Sequence, residues 1–270
     1  KSNVSWGIPV LGDEDQVIYV WIDALSNYIT GIGYNPEGST EQFSSLWPAD
    51  LHVIGKDIVR FHTIYWPIFL MALGETLPKK VFGHPWFNFG NDKMSKSKGN
   101  VVYADELAEI FGVDAVRYYA LSEMPYGSDG SITYEAVISR YNNDLANNLG
   151  NLVSRTHAMT KKYFDGVVPT PDVREPIDDE LYAAVREGID KSVELMGAYH
   201  VADSLEAIFS MLRRANKYID ETMPWALAKD ESQKDRLSTV LYNLLNGILV
   251  GTCQERGDQG TSCNRNIQSS

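Results

Sequence analysis

The chain has 270 residues, 44% of them hydrophobic and 22% charged, which excludes an intrinsically disordered segment and leaves room for two domains. Twenty-four Lys and Arg against 36 Asp and Glu give a net charge of −12, which argues against indiscriminate coating of nucleic acid. A local basic site survives that balance, because exposed charges are screened within ~8–10 Å in physiological salt. Apolar runs such as Ile64–Leu73 reach about half of the ~20 residues that a membrane span needs. No basic-then-apolar leader opens the chain, so a soluble cytoplasmic protein without a membrane or DNA partner is expected. Two cysteines, Cys253 and Cys263, are too few for a disulfide framework or a zinc cluster and are expected as free thiols in a polar tail.

In chain order, Val17–Trp21 and Leu51–Ile54 are predicted strands, Ile58–Leu73 a helix, and Val81–Phe82 the start of a further strand. Strand, turn, helix, strand is the rhythm of a parallel α/β sheet. It begins abruptly at Lys1, so the N-terminal half of that domain is expected to be missing. From Asp105 the pattern turns helical, with Asp105–Phe111 and Val113–Leu121 broken at Gly112. A long helix is predicted over Tyr134–Phe164, where Leu145, Leu149, Leu152, Met159 and Tyr163 recur every three or four residues. Val167–Pro176 carries three prolines and reads as a connector. Helices over Asp178–Met196, Ala202–Glu221 and Asp235–Val250 complete an up-and-down bundle. The expected division is 1–130, α/β; 131–250, all-α; and 251–270, a polar tail. Nothing in that tail could cover the apolar face of Leu237–Val250, so the chain reads as cut or replaced there.

The strongest chemical signal is Lys93-Met94-Ser95-Lys96-Ser97-Lys98-Gly99-Asn100. Three ammonium groups and two hydroxyls before Gly-Asn suit a triphosphate, and they suit a solvated basic loop equally well. Asp57, in Gly55-Lys56-Asp57, follows a strand and precedes an apolar-periodic segment. It fits a helix cap as well as a ligand site at the carboxyl end of a strand. Trp21, Tyr28 and His62 taken alone read as core residues. Asn143, Asn147, Asn151 and Arg155 form a polar stripe at four-residue spacing that drifts about 40° per step and brings Asn151 and Arg155 out together. Trp225, after Pro224, is either a core anchor or an exposed stacking plane.

Lys93–Ser97 matches the KMSKS signature of class I aminoacyl-tRNA synthetases. Tyr19–Ala24, Gly55–His62, Asn151–Arg155 and Pro224-Trp225 resemble, in order, motifs of the methionyl-tRNA synthetase family. The resemblance covers about residues 4–250. It implies a Rossmann-like class I catalytic half followed by an all-α anticodon-binding domain, and a methionine–tRNA ligase that uses ATP with Mg²⁺. By the same resemblance Lys93 and Lys96 are catalytic, stabilising the departing pyrophosphate. Gly55, Asp57, Lys93, Ser95, Lys96 and Ser97 bind ATP. Trp21, Ala24, Tyr28, Ile58 and His62, with Tyr65, line the methionine pocket. Asn151, Arg155, Pro224 and Trp225 meet the CAU anticodon of tRNA(Met). The family's HIGH-like motif and its zinc-binding insert are absent from these 270 residues, so this chain alone is expected to be inactive and to hold no metal. Two alternatives stay open: a non-catalytic tRNA-binding remnant, and a class I synthetase for another aliphatic amino acid.

Overall fold

The computed structural model describes residues 6–89, 92–93, 103–123, 125 and 127–255. Strands β1 (Pro9–Val10) and β2 (Asp13–Val17) form a short antiparallel pair. Helix α1 (Val20–Thr30) follows, with Tyr19 extended at its N-cap. The predicted strand over Val17–Trp21 is therefore corrected: it stops at Val17, and Val20 and Trp21 open a helix. Local β-propensity favours the strand, but Trp21, Leu25 and Ile29 at four-residue spacing bury one helical face. Leu25 and Ile29 are buried with Phe43, Trp66 and Leu70, and Trp21 packs against them. Phe43 lies on α2 (Glu41–Leu46), whose N-cap Thr40 accepts a bond from the Phe43 amide at 3.2 Å.

Strand β3 (His52–Gly55) pairs in parallel with β4 (Val81–His84), Ile54 opposite Gly83. Their connection is the predicted helix, but it is wound in three ways. Lys56–Ile58 is a 3₁₀ turn, Phe61–Tyr65 has π winding, and α3 (Trp66–Leu73) is α-helical. Gly74 stops α3 at φ 75°, a conformation that glycine adopts without steric cost.

By its contacts the chain forms two compact units, the first ending at Trp86 and the second starting at Phe87. The second unit holds a three-stranded sheet in which β5 (Phe87–Phe89) lies between β6 (Asp92–Lys93, antiparallel) and β7 (Gly130–Ile132, parallel). Helices α4 (Ala104–Phe111) and α5 (Val113–Ser122) meet at Gly112, as expected. The long predicted helix runs unbroken as α6 (Tyr134–Arg140), a π-wound stretch over Tyr141–Gly150, and α7 (Asn151–Phe164). The 40° drift of the polar stripe therefore holds only from Asn151 to Arg155, because Asn143 and Asn147 follow i→i+5 winding.

Helices α8 (Pro176–Gly197), α9 (Val201–Thr222), the short α10 (Pro224–Leu227) and α11 (Lys234–Glu255) complete the bundle. Its core joins Leu152, Leu181, Phe209, Leu212, Ile219 and Leu241. Each contributes at most about 1.5–3 kcal/mol by burial. Helix α11 continues past Val250, so Cys253 lies on its last turns. Residues 256–270, Cys263 among them, fall outside the described residues.

One polar network crosses this core. Asp178 and Arg236 have side chains 0% and 4% exposed. The Arg236 Nη1 and Nη2 groups donate to the two Asp178 oxygens at 2.7 and 2.9 Å. Tyr218 donates its hydroxyl to Asp178 at 2.5 Å, and Asn243 donates to the Tyr218 oxygen at 3.3 Å. Tyr182 then donates to Asn243 Oδ1 at 2.5 Å. The Glu175 amide donates to Asp178 Oδ2 at 2.9 Å, closing a capping box at the start of α8.

Candidate functional site

In the first unit, Trp21, Ala24 and Tyr28 lie on one face of α1, as spacings of three and four require. Trp21 stacks on Phe61 at 4.1 Å between centroids and meets His62 edge-on at 6.1 Å. His62 is 1% exposed. Its Nδ1 lies 3.0 Å from the Ile58 carbonyl and its Nε2 2.9 Å from the Tyr28 hydroxyl. A carbonyl only accepts, so Nδ1 donates to Ile58, while Nε2 bonds the Tyr28 hydroxyl. Both ring nitrogens of His62 are thus bonded, and its partner Tyr28 opens to solvent. Burial pushes the Tyr28 phenol above its ordinary range. The structure brings Trp21, Tyr28, Ile58 and His62 together, Ala24 sits exposed on the same α1 face, and Tyr65 stacks on Phe61 at 5.6 Å.

Behind Tyr28 lies His52, an inward residue of β3, with ring centroids 4.5 Å apart and His62 5.7 Å away. Burial lowers its pKa first, and the neighbouring His62 lowers it further. Its Nε2 is buried without a hydrogen-bond partner, as is Nε1 of Trp66. The cluster around Tyr28 is therefore aromatic, with two buried ring nitrogens left without partners. Tyr28→Phe is expected to lower stability by about 1–3 kcal/mol, toward the low end because water can reach this edge, since it strips the buried His62 Nε2 of its partner. Thermal unfolding followed by circular dichroism checks it, and an unchanged midpoint would show that the bond contributes nothing.

At the carboxyl end of β3, Gly55 and Asp57 occupy the place where parallel sheets receive ligands. A Cβ on Gly55 would sit 2.6 Å from Asp57 Oδ1, so with the carboxylate folded back as it is here, glycine is what leaves it room. The 3₁₀ turn has no side-chain cap, which removes the helix-cap role for Asp57. Its Oδ1 instead accepts from the indole N–H of Trp86 at 3.3 Å, while Lys56 Nζ lies 4.6 Å from that indole's centroid. Lys93 is the last residue of β6. Ser95, Lys96 and Ser97 lie outside the described residues.

In the second unit Asn151 and Trp225 are exposed, Trp225 by 42%, and Pro224 is buried. Trp225 is therefore not a core anchor. Arg155 donates from Nη2 to Asp220 Oδ1 at 2.9 Å, and its guanidinium carbon lies 5.9 Å from the Trp225 ring centroid. A held guanidinium beside an open indole can stack on an unpaired base and bond its edge.

The sequence alone missed Phe61, His52, Trp86 and Asp220. Inward alternation in β3 could have pointed to His52. No local pattern marks Trp86 or Asp220, which meet their partners across 29 and 65 residues. No helix among the described residues is long and apolar enough to cross a membrane.

The family pattern of tRNA synthetases class I (M) matches residues 1–157, more than half of the chain. The chain belongs to this family of class I synthetases. Its relatives within that class are methionine–tRNA ligases. It is 58% identical over 245 residues to that of Clostridium perfringens and 56% identical over 248 residues to that of Caldanaerobacter subterraneus. These matches take in 91% and 92% of this chain but only 38% and 39% of the relatives, so the chain spans well under half their length. Mycobacterium tuberculosis methionyl-tRNA synthetase in complex with methionyl-adenylate is similar in structure, with a TM-score of 0.86 and 42% identity over 99% of this chain and 53% of that one. The apo form of the same enzyme has a TM-score of 0.82.

Proposed function

We propose that the chain is part of a methionine–tRNA ligase, with residues 1–130 serving a Rossmann-like catalytic domain and 131–250 an anticodon-binding bundle. The observation that carries this is the Tyr28–His62 pair beside Trp21, in a chain of this family. The Tyr28 and His62 polar atoms are already bonded to each other, so what this cluster offers an incoming side chain is mainly ring faces. A thioether needs no partner and gains ~0.3–1.5 kcal/mol per sulfur–aromatic contact.

The reaction has two steps. The methionine carboxylate attacks the α-phosphate of ATP and pyrophosphate leaves. The terminal ribose hydroxyl of the tRNA then attacks the carbonyl and AMP leaves. Gly55 and Asp57 hold the ribose of ATP, and the segment bearing Lys93, Ser95, Lys96 and Ser97 meets its phosphates. Lys93 and Lys96 stabilise charge as pyrophosphate departs. Mg²⁺ enters as an ion carried by ATP, sharing the charge of its phosphates. Asn151, Arg155 and Trp225, backed by Pro224, meet the CAU anticodon. A cytoplasmic location goes with this role.

The test is ATP–pyrophosphate exchange by the full-length protein. Exchange is expected with methionine and at least about 10-fold less with leucine, isoleucine or valine, since one methylene of misfit is worth ~1–3 kcal/mol. Equal exchange with an aliphatic amino acid would overturn the assignment of methionine.

A further inference from the structure

We infer that Trp86 is a positioning residue for nucleotide binding, aiming the Asp57 carboxylate at a ribose diol. The inference rests on the proposed ATP site and deepens it. Lys56 and Asp57 are adjacent in sequence and opposite in charge, and both are exposed. Left to themselves, two such side chains reach freely into solvent and take many rotamers.

Here a single indole occupies both. The ammonium of Lys56 lies over the ring, 4.6 Å from its centroid, and the carboxylate of Asp57 takes the ring's N–H at 3.3 Å. One ring thus keeps the cation on its face and the anion at its edge. Among the described residues the Trp86 indole is the partner of the Asp57 carboxylate, and it uses Oδ1 alone. The second oxygen, Oδ2, keeps its acceptor capacity for a ligand hydroxyl.

Gly55 leaves room for the carboxylate in this orientation, because a Cβ there would meet Oδ1 at 2.6 Å. The indole N–H favours one orientation of the carboxylate and Gly55 permits it, at the carboxyl end of β3. Preorganisation of this kind raises affinity by removing rotamers that binding would otherwise have to freeze. Trp86 follows β4, which pairs with β3 through Gly55 opposite His84. The parallel register therefore brings the indole to Asp57, although the two lie 29 residues apart in sequence.

The experiment compares ATP with 2′,3′-dideoxy-ATP, by calorimetric titration of the full-length protein. Four forms are needed: wild type, Trp86→Phe, Asp57→Ala and the double variant. Phenylalanine keeps a ring face for Lys56 and removes the N–H together with the pyrrole part of the indole. The wild type should prefer ATP, and Trp86→Phe should reduce that preference about 3- to 10-fold. In the Asp57→Ala background the preference should be gone, and Trp86→Phe should change nothing further.

A structural role would move both nucleotides together and leave their ratio intact, so a general loosening of the fold does not imitate the expected result. Trp86→Phe that weakens both nucleotides equally, or that acts additively with Asp57→Ala, overturns the positioning role while the ATP site stands. A wild type that binds both nucleotides equally, or neither, overturns the ribose role of Asp57 and this inference with it.

Discussion

Asp178→Ala is expected to cost the helical unit about 3–5 kcal/mol, because it strands a buried guanidinium. Arg236 is 4% exposed at its side chain. Once Asp178 is gone, its remaining carboxylate is Glu175 at 3.1 Å, whose side chain is 52% exposed. A drop of this size corresponds to roughly 6–20 °C in melting temperature for a unit of this length. Tyr218 would lose its acceptor as well. The pair as a whole contributes far less than its rupture costs, since desolvating two charges offsets most of their attraction. The double variant Asp178→Leu with Arg236→Met should accordingly lie within about 1–2 kcal/mol of wild type. Urea titrations at pH 7, followed by far-ultraviolet circular dichroism, separate the two outcomes. A single variant as stable as wild type would show that water already solvates the pair.

The same network sets an acid limit. Burial works against the Asp178 carboxylate, but the hydrogen bonds from Arg236, Tyr218 and the Glu175 amide outweigh it, and the pKa falls below the ordinary carboxylate value. With a depressed pKa, the stabilisation is complete above the unfolded-state value of about 3.9 and is lost as pH falls through the folded value. The wild type should therefore lose stability below about pH 4 more steeply than the double variant.

Trp225→Ala is expected to weaken binding of a CAU stem-loop about 5- to 150-fold, the range for loss of ~1–3 kcal/mol of base stacking. The indole is 42% exposed, and Arg155 is held beside it by Asp220. The guanidinium thus waits in place and need not be ordered on binding. Arg155→Ala should weaken the same complex. With a net charge of −12, general attraction to phosphate is small, so affinity should follow the loop sequence and not the length of the stem. The comparison is a CAU loop against a scrambled loop on one stem, at fixed salt, with an unchanged helical signal as the control. Equal affinity for both loops in the wild type would leave Trp225 without a part in recognition.

Local chemistry was legible without coordinates wherever neighbours in sequence are neighbours in space. Helical periodicity marked the bundle, because a buried stripe must recur every three or four residues. The spacing of Trp21, Ala24 and Tyr28 put them on one face once that segment was known to be helical. The strand first expected at Val17–Trp21 failed for the same reason in reverse, since five residues rich in β-branched and aromatic side chains do not record which core will bury them. Periodicity says which face is covered, not by what. The π winding at Phe61–Tyr65 and Tyr141–Gly150 has no signature in the spacing of apolar residues. Asp57 with Trp86, Arg155 with Asp220, and Asp178 with Arg236 are separated by 29, 65 and 58 residues. Each meets its partner only after the strands pair or the helices pack, so residue type and spacing name the chemistry while the folded core alone sets its geometry.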